Sequence, residues 1–208
     1  MDYTTKAYAS EKSPLELSFI PIHPGDILSY GGYHFEVKLL KGHTFGQCGL
    51  YEPEKKLMFV GDQLMTTIVP IVGTQETDLG MLKCYLDSLG DLKHNYKDCY
   101  FLPCHYGEIR NVEKEVNRII LGYLEKCEIM KHVLEEAGTA LTTRDIGVRT
   151  YGRSQGPPDY AHFASCTYIW AKTFSCMEYM MGEGFVERSE RDGIIYWKAP
   201  SIHFENNR

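Results

Sequence analysis

Three short segments constrain how this chain can fold: Gly42-His43-Thr44-Phe45-Gly46, Val60-Gly61-Asp62-Gln63 and Leu102-Pro103-Cys104-His105-Tyr106-Gly107. Each sets a metal-competent side chain just after an apolar, strand-like run, and a sheet edge is where such groups can be held in fixed geometry. The fold must bring three strand ends together. His43, Asp62 and His105 carry the nitrogen and oxygen donors of a zinc or iron hydrolase centre, in which the ion keeps an open position for water and lowers its pKa. Taken singly, a loop histidine is an ordinary hydrogen-bonding group and a Gly-Asp step an ordinary turn. Their order, glycine-rich settings and repeated placement after strands point to a metal site.

The rest of the first half reads as sheet. Residues 1–25, with Pro14, Pro21 and Pro24, read as a connecting or lid-like segment. From Asp26 the pattern predicts strands over 27–30 and 33–39 around Gly31-Gly32, with Tyr33, Phe35, Val37 and Leu39 forming one buried face. Two more strands, near 47–51 and 57–60, flank the turn Glu52-Pro53-Glu54-Lys55. A helix over 76–89 stopped by Gly90, and a short strand over 99–102 leading to His105, complete this part.

Beyond His105 the periodicity changes. Val116, Ile119, Ile120, Tyr123, Leu124, Cys127, Val133 and Leu134 fall largely at three- and four-residue spacing, on a helix that Gly138 can end. Thr142 with Asp145 opens a second, brief helix, and a glycine- and proline-rich loop follows over 152–158. Phe163, Thr167, Trp170, Phe174, Met177 and Met181 mark a third helix. A closing hairpin turns at Asp192-Gly193. Helix, helix, helix and wing make a winged-helix module, so the chain divides into 1–115 and 116–208.

Composition narrows the classes. The 208 residues, 43% hydrophobic and 24% charged, suit a folded protein with a real core. No run reaches the roughly eighteen apolar residues of a membrane span, and the polar start Met1-Asp2-Tyr3-Thr4-Thr5-Lys6 lacks a signal-peptide core, so cytoplasm and no membrane partner are expected. Seven cysteines without a CxxC pair argue against a disulfide framework or a thiolate zinc knuckle. The net charge is −6, and from residue 116 onward eleven Lys and Arg face twelve Asp and Glu. The third helix carries Lys172 alone as a basic residue, too little phosphate-neutralising charge for a major-groove reader. No Ser-His-Asp order, Walker-type GKS or GxGxxG is supported.

The three segments resemble the later part of the metallo-β-lactamase superfamily, in which a GHTxG turn, a GD step and an LPGHG-like loop each supply a ligand. The resemblance covers about 26–107 and, more loosely, 108–208. It implies an α+β fold, the C-terminal half of an αββα sandwich followed by a winged-helix extension. It also implies a centre of two zinc ions, iron or manganese being able to take their place. His43 would complete one metal's set, Asp62 would bridge both, and His105 would complete the second, with Asp62 and His105 also catalytic. The implied reaction is attack of metal-activated hydroxide on an ester, thioester, lactone or phosphodiester of a small molecule.

The family's opening HxHxDH motif has no match, since the eight histidines, at 23, 34, 43, 94, 105, 132, 162 and 203, include no HxH pair. In the family that motif supplies two histidines to one metal and an aspartate and histidine to the other. The chain therefore resembles half a catalytic domain. Its inner sheet face calls for cover, from a complementing N-terminal half, a second copy of the chain or a rearranged N-terminal segment, and a partner or homodimer is favoured. Two other classes stand beside the hydrolase: a winged-helix interaction or nucleic-acid-binding module, and a catalytically silent truncated fragment. Cys104, where the family has glycine, reads as a packing residue with a soft ligand or reactive thiol as alternative. His23, His34, His94, His132 and His162 read as surface groups.

Overall fold

The computed structural model describes residues 20–72, 80–152 and 160–200, with the side chains of 160–167 left aside. Most of the segment 1–25, the start of the helix expected from 76, the loop over 153–158, Phe163, Thr167, His162 and His203 lie outside the described residues. The first half holds strands β1 (Ile27–Tyr30), β2 (Tyr33–Leu39), β3 (Cys48–Glu52) and β4 (Leu57–Gly61), then helix α1 (Met81–Asn95) and strand β5 (Tyr100–Pro103). They form one five-stranded sheet in the order β1-β2-β3-β4-β5. Gly31 and Gly32 both take positive φ, 57° and 82°, the conformation that lets a two-residue turn follow the twist of its strands. The next two pairings are also antiparallel, whereas β5 runs parallel to β4, and a parallel neighbour needs a long crossover, which includes α1.

Register divides the sheet into two unlike faces. Tyr51, Met58 and Phe101 lie opposite one another across β3, β4 and β5. Met58, Val60 and Phe101 are fully buried and share one core with Leu82, Tyr85, Leu89 and Leu92 of α1. On the other face Val37, Leu50, Phe59 and Leu102 align. Val37 is buried there, but Tyr33, Leu39 and Phe59 stay 42%, 39% and 40% exposed. Phe35 stacks on Tyr33 and meets Phe59 edge-on, at 5.7 and 5.8 Å between centroids. The face expected to be buried along β2 is therefore an open apolar surface.

Gly90 does not stop α1, which continues to Asn95. Leu89 and Leu92 flank the glycine and are both fully buried, and that burial outweighs the roughly 1 kcal/mol a helical glycine costs relative to alanine.

The second half begins with α2 (Val112–Ala137), capped by the Asn111 side chain, which accepts from the Lys114 amide at 2.9 Å, and ended by Gly138 at φ 59°. Val112, Val116, Ile119, Tyr123, Cys127, Met130 and Leu134 form its buried stripe. A two-residue strand that the sequence did not suggest, β6 (Leu141–Thr142), precedes α3 (Thr143–Tyr151). After α4 (Tyr160–Gly182) come β7 (Glu187–Arg191) and β8 (Ile194–Lys198). Their turn, Asp192-Gly193, has both φ values positive, 53° and 73°, and the small sheet has the order β6-β8-β7. On α4 the buried positions include Thr173, Cys176, Met177 and Met180, so the expected stripe through Trp170 is rotated and Trp170 faces outward. Trp197, fully buried, donates its ring N–H to Thr143 Oγ1 at 2.9 Å. Among the described residues no helix is long and apolar enough to cross a membrane.

Thr142 and Asp145 complete a reciprocal capping box, with the Asp145 amide donating to Thr142 Oγ1 at 3.1 Å. Thr142→Ala is expected to lower stability by about 1 kcal/mol, read as an earlier urea midpoint at unchanged m-value. An unchanged midpoint would show that packing alone holds the start of α3.

Candidate metal centre

β2 and β4 both run antiparallel to β3, and β5 runs parallel to β4, so the chain leaves β2, β4 and β5 at the same edge of the sheet. Those exits are the loop over 40–47, the turn at Asp62 and the loop at His105. Backbone bonds draw them together. Leu40 N–H donates to Gln47 O at 2.7 Å across the neck of the first loop, and Cys104 N–H donates to Gly61 O at 3.1 Å, joining the third exit to the second. Tyr106, beside His105, sits at φ 66° without being glycine, a conformation that the surrounding structure has to enforce.

The structure brings all three expected ligands to one carboxylate. His43 Nε2 lies 3.5 Å from Asp62 Oδ2, and His105 Nε2 lies 3.5 Å from Asp62 Oδ1. The two imidazoles thus address different oxygens. His43 and Asp62 are 28% and 27% exposed, whereas His105 is 63% exposed and forms the solvent side. His43 Nδ1 is 2.8 Å from the Ile71 carbonyl. A carbonyl can only accept, so Nδ1 carries a proton, and Nε2 is the nitrogen turned to Asp62. Asp62 Oδ1 is buried and, among the described residues, accepts no hydrogen bond. A buried carboxylate oxygen without a donor is costly, and a cation beside it would give it a partner.

Two donors on one tetrahedral zinc, each about 2.0–2.1 Å from the ion, stand about 3.3–3.4 Å apart, close to both spacings here. Among the described residues, however, no group of three or more His, Cys, Asp or Glu side chains is placed to hold a metal ion as it stands. The two observations agree if each histidine shares Asp62 with a different ion. The nitrogen and oxygen donor set suits zinc or iron, and a metal held there would need further donors.

Several residues that shape the site are not apparent from the sequence. Gln63, fully buried, donates to Lys41 O at 3.2 Å and to Ser88 Oγ at 3.0 Å, fastening the residues beside both Asp62 and Gly42 to α1. Tyr85 donates to Gln63 O at 2.8 Å. Cys104 is exposed, contrary to the packing role expected of it. His23, His34, His94 and His132 are exposed, as expected.

No protein-family model matches the chain. Over 40 residues, 19% of either chain, it is 50% identical to the hydroxyacylglutathione hydrolase GloC of Haemophilus influenzae. Among solved structures it is similar to a metallo-beta-lactamase family protein from Thermus thermophilus, at a TM-score of 0.73 and 22% identity over 88% of this chain and 55% of that one. A beta-lactamase domain protein from Burkholderia ambifaria gives 0.73 and 18%, over 88% and 53% of the respective chains. At such identities the likeness is one of fold. The chain therefore has the mixed α and β fold of metallo-β-lactamase family proteins, across about half the length of the solved structures it matches.

Proposed function

We propose that the chain is the later half of a metal-dependent hydrolase of the metallo-β-lactamase superfamily, with His43, Asp62 and His105 as metal ligands. The observation that carries this reading is the Asp62 carboxylate, whose two oxygens each face an imidazole nitrogen at 3.5 Å while Oδ1 accepts no hydrogen bond among the described residues. A bound zinc pair, or iron or manganese on the same donors, supplies a water of lowered pKa and a Lewis acid for a carbonyl or phosphoryl oxygen. Asp62 would hold the metal through its carboxylate and neutralise part of its charge. His43, its Nδ1–H held by Ile71, presents Nε2 in one orientation. His105 and the exposed Tyr106 form the solvent side, where a substrate arrives. Ester, thioester, lactone and phosphodiester remain the candidate linkages, and the short likeness to a hydroxyacylglutathione hydrolase favours an acyl substrate.

The incomplete ligand set and the open sheet face call for the same remedy. A complementing N-terminal half, or a second copy of this chain, would cover Tyr33, Phe35 and Phe59 and bring the remaining donors. In this reading 1–115 is the partial hydrolase domain and 116–208, with its small sheet beside α2, α3 and α4, a winged-helix extension, acting in the cytoplasm, where cysteines stay reduced.

The test is metal content by elemental mass spectrometry on protein purified without chelator, beside its native mass, for wild type and a His43→Ala/His105→Ala variant. About two metals per chain, lost in the variant, is the expected result for a completed centre. Metal-free wild type that is nonetheless a stable dimer would overturn a centre completed by self-association, leaving the motifs as inherited scaffold and turning the search to a complementing N-terminal half or a binding role.

A further inference from the structure

Between Asp62 and α1 the backbone of 63–71 forms no strand or helix, yet side chains from distant elements take hold of its carbonyls one after another. Arg118 of α2 donates through Nη2 to Met65 O at 2.5 Å and to Ile68 O at 3.2 Å. Lys172 of α4 donates to Val69 O at 3.1 Å. Tyr123 of α2 donates to Pro70 O at 2.6 Å. The next carbonyl, Ile71 O, is the one that faces His43 Nδ1 at 2.8 Å. Three consecutive carbonyls are therefore bound by α4, by α2 and by the metal-site histidine.

The two helical donors are costly to place. Tyr123 is buried with its hydroxyl inside the core, and Lys172 Nζ stands 5.8 Å from the centre of the Tyr123 ring, a cation over an aromatic face. Burial pushes the Lys172 ammonium below its ordinary pKa and the Tyr123 hydroxyl well above its own. A half-buried ammonium held on one carbonyl marks a segment whose path is specified rather than loosely tethered.

We propose that Tyr123 and Lys172 are positioning residues for His43: by fixing Val69, Pro70 and Ile71 they aim the Ile71 carbonyl at Nδ1 and so select the ring form whose Nε2 faces Asp62. The helical second half thereby sets a ligand carried by the sheet. Its consequence for metal rests on the hydrolase reading above; its consequence for His43 does not. A partner that orients a ligating histidine is typically worth about 10–100-fold in metal affinity.

The experiment is long-range proton–nitrogen correlation NMR of the His43 ring in metal-free protein, with zinc titrations on the same samples, for wild type, Tyr123→Phe, Lys172→Met and Lys172→Arg. Wild type is expected in the Nδ1–H form alone. Tyr123→Phe and Lys172→Met, with backbone amide spectra showing the fold retained, are expected to mix both forms and weaken zinc binding about 10–100-fold, and Lys172→Arg to recover most of the loss. If one variant does not fold, the other carries the comparison. A His43 ring unchanged in every folded variant overturns the proposal, whatever zinc does. A ring that changes form in a protein whose wild type takes up no zinc upholds the positioning and instead removes the metal reading.

Discussion

Asp62→Asn is expected to remove metal uptake from both histidines at once, with apparent zinc affinity falling on the order of a thousandfold, while the metal-free protein keeps its fold. The two oxygens of Asp62 each stand 3.5 Å from a different imidazole nitrogen, so in the proposed centre one residue would serve both histidines and no single histidine change should do as much. Losing a bridging charge at two positions is worth several kcal/mol, and about 1.4 kcal/mol is tenfold in affinity. Stability should move the other way or scarcely at all. Asp62 Oδ1 is buried without a hydrogen-bond donor among the described residues, and an isosteric amide removes the cost of an unpartnered buried charge. Zinc titration calorimetry beside urea unfolding separates the effects. An Asp62→Asn protein that takes up zinc like wild type would show that the carboxylate is not a ligand, and one that unfolds would show that it is a structural group.

The parts of this fold that are visible in the sequence are those specified by local chemistry. Gly31-Gly32 and Asp192-Gly193 supply the positive φ that two-residue hairpins require, and Thr142 with Asp145 forms its cap within one turn. That His43, Asp62 and His105 come together was readable for a similar reason, since each follows its own strand. Gly90 misled because a local helix-ending signal was overruled by two leucines buried on either side of it. β6 is two residues long and shows no alternation; its partner, Trp197, lies more than fifty residues away. The outward turn of Trp170 follows from where α2 and α3 pack against α4, which a single helix's periodicity does not contain. Ile71 as the partner of His43 was invisible for a deeper reason. Its contribution is a backbone carbonyl, which every residue type possesses, so nothing at position 71 announces it.

Among the described glycines, Gly42→Ala should be the most damaging added methyl. Gly42 sits at φ 148°, a region L side chains rarely adopt, and holding alanine there costs about 1–3 kcal/mol. The new Cβ would land on Tyr85 Cδ2 and lie 2.5 Å from that residue's Cβ and 2.7 Å from its Cα. Tyr85 cannot retreat: it is fully buried on α1, its hydroxyl held by Gln63 O at 2.8 Å. Forcing a methyl into such packing adds about 1–3 kcal/mol, so a total of about 2–6 kcal/mol is expected, read as an earlier urea midpoint. Gly61 makes the useful contrast, because a Cβ there meets only the side-chain amide end of Gln47, which can swing aside. The consequence at the site follows from adjacency. His43 is the next residue, and backbone displaced from Tyr85 carries its ring away from both Ile71 and Asp62, so zinc binding should fall even in the fraction that stays folded. A Gly42→Ala protein within about 1 kcal/mol of wild type would mean that the loop can yield, and then the glycine before His43 is neither a close contact with α1 nor what aims the ligand.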